Sequence, residues 1–367
     1  RPDGQGGLVP NDVTVSQIYH KMGYKGSPIT ELSIGEKDDC RGYLVGEPHK
    51  GLAYMFQMMN SARLGVGGGA AAIATAAYYA ALEYAQARPQ GRPLTERDPA
   101  APQVPIIAHA DVRRMLLFQR SFVEGAHALL MQCCRYADEE IVLEGEARER
   151  ASLLLDLLTP VAKSYPSETS ILSTSLAIQC LGGYGYCDDF PVEQYFRDTR
   201  IHPIHEGTTG VQGMDLLGRK VRMHDGKAFD LFVEEVQKAI AEGGAHETTA
   251  PFAETLEGVL EELVQVTDTL RARAAEEGMT VYLADATLYL DYFSLVAVAW
   301  QWLRQITAAA RGLEGRPSKS DSNFYNGKFF SARYFFRYEL PKTKALVTRL
   351  LDTDTVTLDM DPAFFQD

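Results

Sequence analysis

Residues 179–212 read QCLGGYGYCDDFPVEQYFRDTRIHPIHEGTTGVQ, the densest cluster of glycine and polar residues in the chain. Gly182 and Gly183 end an apolar helical pattern, and glycines at such a point let a ligand approach the bare backbone. Near the other end of the stretch, Glu206 lies two residues before Thr208, a good N-cap for a further helix. A carboxylate on a short loop at a helix start is well placed to act on a ligand, although two helix caps alone explain most of these features.

The whole chain has the composition of an ordinary folded protein. Its 367 residues are 46% hydrophobic and 23% charged, which excludes a disordered or fibrous chain and allows two or three structural units. A net charge of −13 argues against a general nucleic-acid binder, which needs a basic face. The five cysteines show no disulfide framework, and Cys133 is adjacent to Cys134. This usage favours buried thiols in a reducing compartment, and we expect a cytoplasmic protein.

Two features concern the extent of the chain and its relation to membranes. Residue 1 is Arg rather than Met and no signal segment follows it, so we expect the chain to begin inside a longer polypeptide whose N-terminal half is absent. Residues 65–82 carry no charge over a length that could cross a membrane. They are mostly Gly and Ala, which let a helix approach its neighbours closely. We therefore expect a buried bundle helix and no membrane span.

Hydrophobic periodicity predicts a mainly α fold with a β fragment in front. Residues 1–47 read as strands or loops, with short apolar runs at 29–34 and 43–45 separated by Gly and Pro. Residues 88–105 hold five prolines and predict a loop, and the segment from Gly182 to residue 207 reads as irregular. The predicted helices start at Leu52 (ending near Ala87), at Val112, at residue 151 (ending near 163), at Pro166 and near Thr208, with further helices along the stripe 256–270 and at about 281–312 and 324–350.

The opening stretch resembles the C-terminal signature of the acyl-CoA dehydrogenase family. It contains Gln-x-x-Gly-Gly-x-Gly-Tyr from Gln179, then Pro-Val-Glu, Arg-Asp-x-Arg-Ile and a Glu-Gly-Thr turn at Glu206, all with the family's spacing. Upstream, Lys-Met-Gly-Tyr-Lys-Gly-Ser-Pro at 21–28 resembles the end of the family's middle β domain. Asn60-x-x-Arg63-Leu resembles the start of its first C-terminal helix.

The resemblance implies a fold and a division of the chain. We expect the end of a middle β domain at residues 1–47 and the family's helical bundle, with the catalytic Glu, at residues 48–224. Residues 225–367 look like the additional helical extension of a subset of the family, which includes methylthiopropionyl-CoA and some fatty acyl-CoA dehydrogenases.

The resemblance also implies a reaction, the FAD-dependent α,β-dehydrogenation of an acyl-CoA thioester. In the family a carboxylate removes the α-proton, and the β-hydrogen passes to the flavin. An α-proton is only weakly acidic, so the base needs a dry site. By its position in the Glu-Gly-Thr turn, Glu206 is the expected base. One branch of the family carries the base just before the Arg that corresponds to Arg63, but Ala62 stands there and cannot accept a proton.

Further roles are implied residue by residue. Asn60, Arg63 and Gly207 correspond to positions near the acyl-CoA substrate. The FAD contacts are expected at Arg88, Gln179, Gly182, Gly183 and Thr208. Arg88 lacks the aromatic residue that follows three positions later in the family, since Gly91 stands there. The histidines and cysteines show no metal-ligand spacing, so no metal is expected.

The same resemblance implies partners and leaves alternatives open. We expect a homo-oligomer, dimer or tetramer, with FAD shared between subunits, and an electron-transfer flavoprotein as electron acceptor. An acyl-CoA oxidase, in which oxygen reoxidises the flavin, has the same motifs. A DNA-associated flavoprotein relative without dehydrogenase turnover is a third reading, but residues 225–367 carry a net charge of −9, with 14 Lys and Arg against 23 Asp and Glu. That sign does not suit a phosphate backbone.

Overall fold

The computed structural model describes residues 1–366, apart from the side chains of residues 56 and 57. The chain divides into two compact units, Arg1–Ser61 and the residues from Ala62 onward. The first unit contains loops, a small sheet and the beginning of a helix, and the second unit is built mainly from helices.

The N-terminal unit contains a two-stranded antiparallel sheet. Strand β1 (Val13–Ile18) pairs with strand β2 (Thr30–Ile34), and the register shifts between Val15 and Gln17. The second strand agrees with the apolar run predicted at 29–34, whereas the run at 43–45 forms no strand. Apolar side chains of both strands are exposed in this unit.

Long helices make up the second unit, and the predicted mainly α fold is confirmed. Helix α1 begins in the first unit and continues into the second. The helices are α1 (Gly51–Ala87), α2 (Ala110–Val142), α3 (Gly145–Leu181), α4 (Val192–Thr199), α5 (Thr209–Gly218), α6 (Lys227–Gly244), α7 (Ala250–Glu276), α8 (Met279–Leu283), α9 (Ala286–Glu314), α10 (Lys319–Tyr334), α11 (Thr343–Leu351) and α12 (Val356–Asp359). Helix α4 lies in the segment predicted to be irregular, so that prediction was wrong. Its apolar positions are too few for periodicity to reveal eight helical residues.

Helix α1 buries a stripe of small side chains. By length and composition it could cross a membrane, but the core helix of a soluble protein passes the same test. In this protein the stripe packs into the hydrophobic core, which favours the predicted bundle helix. Its buried members are Val66, Ala70, Ala71, Ala74, Ala77, Tyr78, Ala81 and Ala85.

Helix α3 is a single helix where the sequence predicted two. Pro160 and Pro166 both lie inside it, and a proline removes the hydrogen bond to the carbonyl four residues earlier. For Pro166 that carbonyl belongs to Ala162, and a Cβ at Gly67 of α1 would lie only 2.0 Å from its oxygen. The close approach of α1, together with burial of both prolines, shows that tertiary packing keeps the helix continuous against the local rule.

One core joins the predicted bundle and the predicted extension within the second unit. The stripe of α7 is buried at Leu256, Leu260, Leu263, Val266 and Leu270, in the same cluster as residues of α2 and α3. Phe232 of α6 stacks on Phe293 of α9 with ring centroids 4.7 Å apart. The boundaries at 47/48 and 224/225 stay predictions.

Candidate active site

The loop between α4 and α5 holds Glu206 in an unusual backbone conformation. Glu206 has φ +54° and Gly207 has φ +89°, so both lie in the left-handed region that glycine favours. Thr208 caps α5, its hydroxyl accepting from the Val211 amide at 3.4 Å. A non-glycine residue in this region costs about 1–3 kcal/mol unless its surroundings hold it.

The buried side chain of Gln212 fixes this loop from the first turn of α5. Its amide nitrogen donates to the carbonyl oxygens of Glu206, at 3.1 Å, and Gly207, at 3.4 Å. A Cβ at Gly207 would lie 2.6 Å from that nitrogen, so glycine is required at this position. The carboxylate of Glu206 itself is exposed. The loop therefore presents a carboxylate on a rigid backbone.

Arg63 ties α1 to α5 next to this loop. It is 6% exposed, and its Nη1 lies 3.1 Å from Oδ2 of Asp215. Arg219 contacts the other oxygen of Asp215 at 2.7 Å. Within the described residues the Nε of Arg63 has no partner. Arg63, expected near the substrate, is thus held by a buried ion pair and retains one donor group.

Lys163 is a charged residue of this region that motif reading missed. It lies on α3, is 0% exposed, and its Nζ has no hydrogen-bond partner among the described residues. Burial lowers the pKa of Lys163 to about 8, while the carboxylates of Glu168 and Glu206 raise it. The available sequence signal was a lysine in the apolar run Leu-Leu-Thr-Pro-Val-Ala-Lys that ends at residue 163.

Two histidines lie on the same segment as Glu206. His202 is buried, with its Nδ1 3.0 Å from the carbonyl oxygen of Thr199, and its ring centroid lies 5.5 Å from that of His205. Burial lowers the pKa of His202 and the pKa of His205, and the charge of Lys163 lowers both further. Both imidazoles are therefore neutral at pH 7.

Four of the predicted FAD contacts lie at the C-terminal ends of α1 and α3. Arg88 directly follows α1, and its guanidinium lies 5.7 Å from the ring centroid of Tyr184, just beyond α3. Gly182 and Gly183 are exposed, and nothing lies within 4 Å of a Cβ built at either. Gln179 is also exposed on the last turn of α3. The structure thus brings four of the five predicted cofactor residues together.

The remaining predicted residues occupy other positions. Thr208, the fifth cofactor residue, lies on the Glu206 loop. Twenty-five residues of α1 separate Arg63 from Arg88, a length of about 37 Å at 1.5 Å per residue. Asn60 is half-buried on α1 within the N-terminal unit. In the part of the chain that the structure describes, no three His, Cys, Asp or Glu residues group as metal ligands.

Comparison with known proteins agrees with this architecture. The family described as acyl-CoA dehydrogenase, C-terminal domain, matches residues 49–221, and the one described as acetyl-CoA dehydrogenase C-terminal like matches residues 232–361. The crystal structure of an acyl-CoA dehydrogenase complexed with FAD from Bacillus anthracis superposes with a TM-score of 0.70 at 18% identity, over 95% of this chain and 58% of that one. Fold and profiles define the class as the C-terminal helical domain of acyl-CoA dehydrogenases.

Curated relatives match nearly the whole chain. Butyryl-CoA dehydrogenase of Syntrophomonas wolfei is 35% identical over 362 residues, 97% of this chain and 59% of that protein. The 3-methylmercaptopropionyl-CoA dehydrogenase of Ruegeria pomeroyi is 36% identical over 356 residues, 95% and 58% respectively. The chain thus spans less than three fifths of the length of these relatives. It belongs to the acyl-CoA dehydrogenase family, and the predicted family membership is confirmed.

Proposed function

We propose that the complete protein is an FAD-dependent acyl-CoA dehydrogenase that converts an acyl-CoA thioester to the 2-enoyl-CoA, with Glu206 as the base. The observation that carries this proposal is the backbone of the Glu206 loop. A carboxylate held at positive φ by the buried Gln212, beside the capped start of α5, is a costly arrangement of the kind that persists at functional sites. The relatives named for butyryl-CoA and 3-methylmercaptopropionyl-CoA support the class of substrate.

Glu206 removes a proton from the substrate carbon next to the thioester carbonyl. The α-proton is weakly acidic, so the carboxylate must be ionised and shielded from water when the substrate is bound. The Gln212 clamp keeps the loop in place, which limits the reorientation needed before proton transfer. Arg63, through its ion pair with Asp215, fixes α1 against the same helix and keeps its Nε free of hydrogen-bond partners among the described residues.

The residues around Arg88 fit a flavin dinucleotide. Gly182 and Gly183 leave open space over bare backbone, and Arg88 offers an exposed guanidinium beside them. Cations and bare backbone are suited to a diphosphate. When bound, FAD supplies the electron-accepting chemistry that this chain lacks. Arg88, Gln179, Gly182 and Gly183 would hold its diphosphate, and Thr208 would contact its flavin.

The separation of these two groups of residues supports a shared site. About 37 Å along α1 separates Arg63, expected beside the acyl-CoA, from Arg88, expected at an FAD diphosphate. The two arginines of one subunit are therefore expected to serve different active sites. We therefore propose a homo-oligomer, dimer or tetramer, in which each subunit completes its neighbour's cofactor site. We also propose that the N-terminal half of the same polypeptide covers the flavin, that an electron-transfer flavoprotein accepts the electrons, and that the protein is cytoplasmic.

Anaerobic mixing of the complete, FAD-loaded protein with a panel of acyl-CoA thioesters tests the proposal. The panel should include butyryl-CoA and 3-methylmercaptopropionyl-CoA, and the measured quantity is bleaching of the oxidised flavin. We expect rapid bleaching by at least one saturated thioester and formation of its 2-enoyl product. Absence of bleaching by every thioester in a protein that holds FAD would contradict the proposed function. Reoxidation by air would distinguish an oxidase.

A further inference from the structure

Helices α2, α6 and α9 of the second unit border a cleft of about 510 Å³. Each helix contributes an alanine to the wall, Ala128, Ala239 and Ala308, and side chains this small leave a gap that larger ones would fill. The residues that line the cleft are distinct from those of the candidate active site. Its volume is sufficient for a small organic molecule.

The charge of this cleft is opposite to that of the chain. Three arginines and one glutamate line it, Arg135, Arg304, Arg311 and Glu242, whereas the whole chain carries a net charge of −13. Arg135 is paired with Glu139 of its own helix, and Arg311 is paired with Glu242. Arg304 contacts no carboxylate in the described part of the chain, since its partners there are neutral groups. The cleft therefore contains one guanidinium whose charge is not compensated.

Two buried glutamines and a tryptophan fix Arg304 in position. Its Nη1 donates to the side-chain oxygen of Gln132 and, at 3.1 Å, to that of Gln301, and these glutamines are 6% and 3% exposed. The guanidinium carbon lies 5.5 Å from the ring centroid of Trp300, within the range of cation–π attraction. Both hydrogen bonds use Nη1, so among the described residues the edge formed by Nε and Nη2 has no acceptor.

The burial of these glutamines has a cost that apolar packing would avoid. A buried amide group without a hydrogen bond is unfavourable, and Nε2 of Gln301 has no partner among the residues described. Turning the amide around would not help, because its N–H groups would then face the donor Arg304. A leucine at either glutamine position would avoid the cost but would leave the arginine without its acceptor. The orientation of Arg304 is what the two glutamines provide.

The cleft also offers apolar surface next to this cation. Arg304, Ala308 and Arg311 are separated by four and three residues, so they share one face of α9. Ala128 and Met131 line the same cleft from α2. A ligand there would meet a guanidinium and several apolar side chains. Two parallel N–H donors on a guanidinium suit the oxygens of a carboxylate or phosphate, and the apolar wall suits an alkyl group.

We propose that this cleft binds a small organic anion, with its carboxylate or phosphate on Nε and Nη2 of Arg304 and a short alkyl part against Ala128, Met131 and Ala308. The two glutamines act as positioning residues. A guanidinium that is already held in one orientation loses little side-chain entropy when it binds an oxyanion. The proposal does not depend on Glu206 or on FAD.

Isothermal titration calorimetry of the complete FAD-loaded protein tests this binding with three probes: octanoate, hexyl phosphate and inorganic phosphate. We expect at least one alkyl anion to bind with a dissociation constant of about 1 mM or less. Arg304→Met should weaken this binding by at least ~10-fold, the usual loss of a hydrogen bond to a charged group. Arg304→Lys keeps the charge but not the two parallel donors, so it should also bind more weakly than wild type.

The matched control is Arg148→Met, which removes an exposed arginine of α3 outside the cleft and should leave the affinity unchanged. The probe that binds more tightly, octanoate or hexyl phosphate, identifies the head group. Inorganic phosphate binding as tightly as hexyl phosphate would contradict the apolar part of the proposal.

A second variant keeps the arginine and reduces the space. Ala308→Leu places a larger side chain at an exposed position of α9, so the fold should persist if Arg304→Met is not tolerated. We expect it to weaken the alkyl anions more than inorganic phosphate. If octanoate enters only the acyl-CoA site, neither variant changes its affinity, and the proposal is overturned. Absence of binding by both alkyl anions at millimolar concentration would also overturn it, and neither result requires turnover of an acyl-CoA.

Discussion

The region around Glu206 and the region around Arg88 differ in the burial of their charged residues and their glycines. Near Glu206, Arg63 and Lys163 are buried and Gly207 is enclosed by Gln212. Near Arg88 the arginine is exposed and Gly183 has open space over it. Arg63 and the Glu206 loop are thus held by Asp215 and Gln212 of this chain, whereas Arg88, Gly182 and Gly183 lie at an exposed surface.

The largest expected effect is the loss of flavin bleaching on substitution of Glu206. Glu206→Gln keeps the size and hydrogen-bonding capacity of the side chain but cannot accept a proton. Flavin bleaching by substrate should fall by ~10²–10⁴-fold, the usual loss on removing a general base, while FAD and acyl-CoA binding persist. Stopped-flow absorbance under anaerobic conditions measures it.

Two further variants control this experiment. Glu254→Gln changes an exposed carboxylate of α7 and should bleach at the wild-type rate. Ala62→Glu combined with Glu206→Gly moves the base to α1 and should recover part of the rate. Near-normal bleaching by Glu206→Gln would mean that the base lies outside this chain.

The two arginines should differ in stability. Arg63→Met leaves Asp215 with Arg219 alone and should lower the free energy of unfolding of the 367-residue chain by about 3 kcal/mol. Arg88→Met removes an exposed charge and should change the same quantity by less than about 0.5 kcal/mol. Urea denaturation measures both. Equal destabilisation would show that Arg88 is also structural.

Arg88 should instead affect the cofactor. In the complete protein, Arg88→Met is expected to weaken FAD binding, measured as flavin retained after gel filtration. A mass measurement on the same sample tests the shared site, since a monomer with a full complement of FAD would contradict it.

Local patterns predicted the mainly α fold, whereas the assignment of Glu206 as the base came from the family resemblance and stays a prediction. Helix α1 was predicted to within one residue because its run of small residues is long and ends at Arg88-Pro89. The break predicted before Pro166 was wrong, since the carbonyl that this proline frees faces Gly67 of another helix, and no local rule contains that contact. Lys163 was missed for the same reason. Its burial and the charges that act on it, those of Arg63, Glu168 and Glu206, depend on the tertiary fold.

The stability of the chain should depend on pH through Lys163. The folded-state pKa is about 8 and the unfolded value is 10.5, so between these values the unfolded chain holds a proton that the folded chain has lost. By linkage, stability rises with pH across this window. Lys163→Met removes the effect, so its stability relative to wild type should fall by about 2–3 kcal/mol from pH 7.5 to 10.5. Urea midpoints measured at intervals test it, and a constant difference would contradict the folded-state pKa.

The smallest expected effects are those of two glycine substitutions on stability, one near Glu206 and one near Arg88. Gly207→Ala places a Cβ 2.6 Å from the amide nitrogen of Gln212 at a φ of +89°, so the Gln212 clamp or the backbone must shift. We expect the free energy of unfolding to fall by about 2 kcal/mol. At Gly183 nothing lies within 4 Å of a Cβ and φ is not in the left-handed range, so Gly183→Ala should change stability by less than about 0.5 kcal/mol.

The same pair should differ in a second way once FAD is present. The methyl group at Gly183 would occupy the open space over the backbone, so Gly183→Ala is expected to reduce FAD retention although the chain is as stable as wild type. Gly207→Ala should slow flavin bleaching, because the carboxylate of Glu206 moves with its loop, while FAD retention stays close to normal. If Gly183→Ala keeps its FAD and Gly207→Ala loses it, the cofactor-binding role assigned to the Arg88 region belongs to the Glu206 region instead. Since both substitutions add one carbon, a general loss of packing would lower both measurements together and cannot produce the opposite pattern.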